Sequence, residues 1–163
     1  MNYICSSKVT IIMNTQFDIL IKSRALVLKE IDGLSLAQLH KIPEGFKNNI
    51  LWNVAHLVAT QQILHYKLSG LSCLIPDDFI EDYKKGTFPT KEVTEEEFEE
   101  VKEWLIALPE TLIEDFEAGI FENYTEYPTS TGVVLDTITT AIAFNNFHEG
   151  IHYGIIRALK KLV

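Results

Sequence analysis

Asn49-Ile50-Leu51-Trp52-Asn53-Val54-Ala55-His56-Leu57-Val58-Ala59-Thr60 is the stretch on which the fold turns. Together with Ile63 and Leu64, its apolar side chains surround much of a helix instead of forming one stripe. A helix that is apolar nearly all round belongs inside a bundle. The spacing predicts a helix from Asn49 to Ser69, with Gly70 in the C′ position. One polar ring, His56, sits mid-helix between Ala55 and Leu57. A buried polar group left unsatisfied costs about 1–3 kcal/mol, so that ring needs a partner.

The helical period continues on both sides. Upstream, Phe17, Leu20, Ile21, Arg24, Leu28 and Ile31 mark one face of a helix that Asn14 would cap and Gly33 would stop. Ser35 and Gln38 have capping-box spacing and predict one short helical turn before Pro43 and Gly45 break the chain. Downstream lies a long linker, Leu71 to Val93, with Pro76, Gly86 and Pro89 and an acidic group formed by Asp77, Asp78, Glu81 and Asp82. Connections of that length are often functional or hold short helices. Thr94 and Glu97 open a third long helix, whose Phe98, Val101, Leu105, Leu108 and Leu112 keep one face across Pro109. It is expected to end near Ala118 and Gly119 as one helix kinked at the proline.

Residues 120–131 read as loop, with a short extended piece around Tyr124, Tyr127 and Pro128. A fourth long helix is expected to start near Thr131 to Val133 and to run to about Leu162. Four long helices without a convincing sheet define an all-α chain, a four-helix bundle with long, crossover-type connections.

The 163 residues suit one domain, and 47% hydrophobic residues supply an ordinary core. Met13 to Val163 is the expected domain, and residues 1–12 are expected to be a disordered extension. A net charge of -9 with no basic stripe argues against nucleic acid and against anionic membranes. Arg157, Lys160 and Lys161 suit the C-terminal end of the last helix, where positive charge complements the dipole. Cys5 and Cys73 make no disulfide framework, which points to a reducing cytoplasm. No apolar run reaches the ~18 residues that a membrane span needs.

Function is written in His148-Glu149-Gly150-Ile151-His152. Two histidines four apart share a helix face, with Cβ atoms roughly 5–6 Å apart. Little chain follows, so a third ligand must come from upstream, and His56 is the candidate. Three neutral imidazoles suit a divalent ion such as zinc or nickel and leave a position open for an exogenous donor. Asn145, on the same face as His148, is a candidate to orient a ligand, and Glu149 is an acid/base candidate. His40 and His65 read as ordinary, since His65 lies about 180° around its helix from His56.

The run also fits H-E-x-x-H, a zinc peptidase pattern. No His, Asp or Glu follows His152, however, and Ala158 stands where one subclass needs a third histidine. The chain has no G-x-S-x-G elbow, phosphate-binding loop or dinucleotide fingerprint, so any chemistry rests on the metal.

Leu51-Trp52-Asn53-Val54-Ala55-His56-Leu57 and Phe147-His148-Glu149-Gly150-Ile151-His152-Tyr153-Gly154 resemble the matching segments of the DinB-like superfamily, helical-bundle metalloproteins. The likeness extends over roughly residues 14–162. It implies a metal site at His56, His148 and His152, zinc or nickel as the ion, and a homodimer. It further implies a thiol-dependent S-transferase or a hydrolase. Many members carry Arg-Gly-Gln or Gly-Gln after the last histidine, where this chain has Tyr153-Gly154-Ile155. Two other outcomes stand beside an enzyme: a metal-stabilised module that binds a small ligand or serves a stress response, and a metal-free bundle whose histidines only hydrogen-bond.

Overall fold

The computed structural model describes residues 3–163, with side chains from Ile12 onward. Among the described residues six α-helices occur: α1 (Tyr3–Ile31), α2 (Leu36–His40), α3 (Ile50–His65), α4 (Asp77–Tyr83), α5 (Glu95–Ala118) and α6 (Ile138–Lys160). Two short strands, β1 (Tyr127–Pro128) and β2 (Val134–Leu135), pair antiparallel between α5 and α6. The chain is all-α in class, 64% helix against 3% strand.

The four long helices form the bundle. α1 packs against α5 and α6, and α3 packs against the same two. α1 and α3 therefore face each other across one diagonal, and α5 and α6 across the other. The connections from α1 to α3 and from α5 to α6 cross the bundle, whereas the long Leu71–Val93 segment joins neighbours.

α3 is the central rod. Ile50, Val54, Ala55, Leu57, Val58 and Ala59 are fully buried, as the unbroken apolar run requires. Asn49 caps it by accepting from the Trp52 N–H, and Gly70 ends the following 3₁₀ turn in the left-handed region at φ 74°. α5 continues unbroken through Pro109, and Thr94 with Glu97 forms the expected capping box. The linker contributes α4, the kind of short helix that its length suggested.

Three boundaries differ from the sequence reading. α3 ends at His65, with a separate 3₁₀ turn at Lys67–Ser69, instead of running on to Ser69. α1 passes through Asn14 instead of being capped there. No glycine or proline interrupts the chain between Tyr3 and Gly33, so the helix has no reason to stop. The expectation that the first dozen residues form a disordered extension falls largely outside the described side chains. α6 starts at Ile138, capped by Thr137 with Thr140, not near Thr131 to Val133. Gly132 at φ 85° turns the chain there, and β-branched Val133 and Val134 lead into strand β2, which buries Leu135.

The centre of the bundle holds a charge. Arg24 on α1 is 1% exposed and Glu149 on α6 is fully buried. Arg24 Nε donates to both Glu149 oxygens at 2.9 Å, and Nη2 donates to Oε1 at 2.6 Å. Nη2 also donates to the Leu57 carbonyl at 3.0 Å and to Gln61 Oε1 at 3.1 Å. The Gln61 amide nitrogen donates onward to the Leu108 carbonyl on α5 at 3.2 Å. All four long helices are thereby joined. His65, on the other side of α3 from the candidate ligands, lies close enough to feel the Arg24 charge.

Removing one member of such a pair strands a buried charge, which costs about 3–5 kcal/mol. Arg24→Leu and Glu149→Leu are each expected to lose that much in urea unfolding, and the double variant is expected to recover a large part of it.

Burial, with the Arg24 charge adding to it, pushes His65 down from 6.5 to about 3. Between those values the unfolded chain binds a proton that the folded chain refuses. The stability from a neutral His65 is therefore complete above pH 6.5 and shrinks as pH falls toward 3. Urea midpoints of His65→Leu are expected to decline less steeply between pH 7 and pH 4 than those of the wild type.

Candidate metal centre

His56 comes from the middle of α3, and His148 and His152 lie one turn apart on α6. The α3–α6 contact brings them together. Their nitrogens lie within 4.8 Å of one another. Ring centroids are 5.1 Å apart for His56 and His148, 4.7 Å for His56 and His152, and 4.4 Å for His148 and His152. His56 is buried, while the two α6 rings are partly open to solvent.

The protonation pattern follows from their surroundings. Burial lowers His56 below its ordinary value. Burial first, and then mutual repulsion with the other two rings, takes His148 to about 2; burial and His56 take His152 to about 3. All three are neutral near pH 7, the state in which imidazole binds metal.

Neighbours then orient the rings. His56 Nδ1 lies 2.6 Å from the Tyr83 carbonyl at the end of α4. A carbonyl only accepts, so Nδ1 carries the proton and Nε2 keeps its lone pair. The Trp52 indole stacks on His56 at 4.5 Å and 13°, and its Nε1 donates to Thr87 Oγ1 at 3.1 Å. Thr60 Oγ1 is 3.3 Å from His56 Nε2, within hydrogen-bond reach, and 3.5 Å from Nδ1. His152 Nδ1 meets Asn53 Oδ1 at 2.8 Å. His148 Nδ1 is buried and makes no hydrogen bond.

These observations fit a metal-binding site. Three neutral donors converge, two of them hold their protons on Nδ1 against Tyr83 and Asn53, and the third ring contains an orphaned buried nitrogen that a bound cation would help to satisfy.

The other expected site residues lie beneath this cluster. Both Glu149 oxygens accept from Arg24, and burial raises its carboxyl while the guanidinium opposes the shift. Asn145 is buried and directs Nδ2 to Glu149 Oε1 at 3.4 Å, toward the ion pair and not toward an imidazole. His40 Nε2 sits against the Val93 backbone, and His65 is buried with Arg24 as a charged neighbour, so neither joins the cluster.

Sequence reasoning passed over Asn53, Thr60, Arg24 and the Tyr83 carbonyl. Asn53 and Thr60 stand three before and four after His56, a spacing that puts them on its face. That signal was present. The Tyr83 carbonyl offered none.

The fold and the cluster define a class, a helical bundle with a three-histidine site. Residues 19–156 match the family described as the DinB superfamily, and the chain belongs to it. No curated protein matches the chain. Among the described residues, no helix is long and apolar enough to cross a membrane.

Proposed function

We propose that this chain is a metal-dependent enzyme whose divalent ion, zinc or nickel, is held by His56, His148 and His152. The observation that carries the reading is the convergence of three neutral imidazole nitrogens within 4.8 Å. Such an ion, when bound, supplies Lewis-acid activation of a small thiol or of water. The reaction proposed is thiol S-transfer to an electrophile, with hydrolysis as its counterpart.

The chain's own residues build the surroundings. Trp52 and the Tyr83 carbonyl fix the His56 ring, Asn53 Oδ1 accepts from His152 Nδ1, and Arg24 with Glu149 holds α6 against α3. His148 and His152 are the partly open members, so a substrate approaches along α6. For Glu149 to act as acid or base, its pairing with Arg24 would have to open; Asn145 serves that same pairing. A net charge of -9 supports a small molecule over nucleic acid or a membrane as partner, and two cysteines without a disulfide framework support a reducing cytoplasm as location.

One observation favours a second reading, a metal-stabilised binding module without turnover. The acid nearest the cluster in sequence is fully engaged by Arg24.

Elemental analysis of protein purified without a chelating tag is expected to give about one ion per chain, and His152→Ala is expected to fall to background. Stoichiometric metal in that variant would overturn the assignment. A thiol-conjugation screen with electrophilic substrates then separates the two readings, since only the enzyme turns over.

A homodimer is part of the proposal. α1 and α6 pack side by side, and each exposes large apolar residues: Ile12, Ile19 and Leu26 on α1, Phe147 and Ile151 on α6. Surfaces of this kind are covered by a second copy in symmetric dimers. Ile19→Glu combined with Phe147→Glu is expected to move the protein from dimer to monomer in sedimentation velocity; an unchanged mass refutes this interface.

A further inference from the structure

We propose that Asn53 is a positioning residue of the candidate metal centre, setting the tautomer and orientation of His152 before any ion arrives. The inference rests on the metal-site reading for its purpose, though its geometry stands alone.

Asn53 has one oxygen and one amide nitrogen to place, and the surroundings leave a single arrangement. Its Nδ2 faces the Asn49 carbonyl at 2.7 Å, and a carbonyl can only accept. The NH₂ group therefore points to Asn49, and Oδ1 must be the atom that meets His152 Nδ1 at 2.8 Å. Oδ1 is an acceptor, so His152 carries its proton on Nδ1 and presents Nε2 with a free lone pair.

The arrangement is anchored further back. Asn49 caps α3 by accepting from the Trp52 N–H at 2.7 Å, and its Nδ2 donates to the His40 carbonyl at 3.0 Å. The N-terminal turn of α3 thus holds Asn49, Asn49 holds the Asn53 amide, and the Asn53 amide holds a ring on α6. Asn53 is 2% exposed, so water competes little for its oxygen. The Tyr83 carbonyl does the same for His56. Partners of this kind also raise the basicity of the ligand nitrogen, and losing one typically costs about 10–100-fold in metal affinity.

Long-range ¹H–¹⁵N NMR on the metal-free wild-type chain tests the arrangement directly. His152 is expected as the Nδ1–H tautomer, and an Nε2–H tautomer would overturn the proposal whether or not the chain binds metal. In Asn53→Leu the tautomer preference is expected to disappear, and Zn²⁺ affinity, measured by chelator competition, is expected to drop about 10–100-fold. In Asn53→Asp, which keeps an acceptor, the Nδ1–H tautomer is expected to persist with affinity within about tenfold of wild type. Unchanged tautomer and affinity in a folded Asn53→Leu would overturn the role. A wild-type chain that binds neither Zn²⁺ nor Ni²⁺ would remove the metal-site reading, while the tautomer would still decide what Asn53 does.

Discussion

The fold depends on a single buried ion pair. Arg24 enters the centre of the bundle from α1 and must be matched there, because an unpaired guanidinium among apolar side chains would not be tolerated. The match comes from Glu149, Leu57 and Gln61, which belong to the two helices that carry the candidate ligands. Glu149 directly follows His148, and Leu57 directly follows His56. One residue of helix rotation is about 100°. Satisfying Arg24 therefore fixes how α3 and α6 are rotated against each other, and the imidazoles project about 100° round from the paired residues.

This constraint makes the interior two-sided. Beneath the cluster lies a charged centre in which Arg24 Nε and Nη2 are paired with Glu149, Leu57 and Gln61, and above it lie neutral rings with part of their surface in water. The rings remain neutral because burial and mutual proximity both oppose protonation, as does the Arg24 charge below His148. The Leu71–Val93 linker takes part as well. Its short helix ends with the Tyr83 carbonyl against His56, and Thr87 accepts from Trp52. A segment that reads as mere connection thus holds one wall of the site.

Much of this was legible from the residues. Capping boxes at Ser35 and Thr94 located α2 and α5, because caps are local chemistry, and α3 was located by its unbroken apolar run. The pairing of His148 with His152 and the separation of His65 from His56 followed from helix periodicity, and His56 joined the pair as a polar ring in an otherwise apolar helix. What sequence could not give was non-local or carried by the backbone. Arg24 read as one polar residue in an apolar stripe, since its partner lies 125 residues away. The hairpin before α6 was hidden because Val133, Val134 and Leu135 are as apolar as a helix start would be. The Tyr83 carbonyl carries no side-chain identity at all.

Trp52 has a consequence of its own. It is one of two tryptophans in the chain, and its indole lies face to face with the His56 imidazole. An indole in such contact reports the electronic state of the ring beside it through its emission. The other, Trp104, lies on α5 and stacks edge-on with Phe79, which gives it a different environment. The chain therefore comes with a built-in fluorophore at the cluster, and ligand arrival there is readable as light without any label.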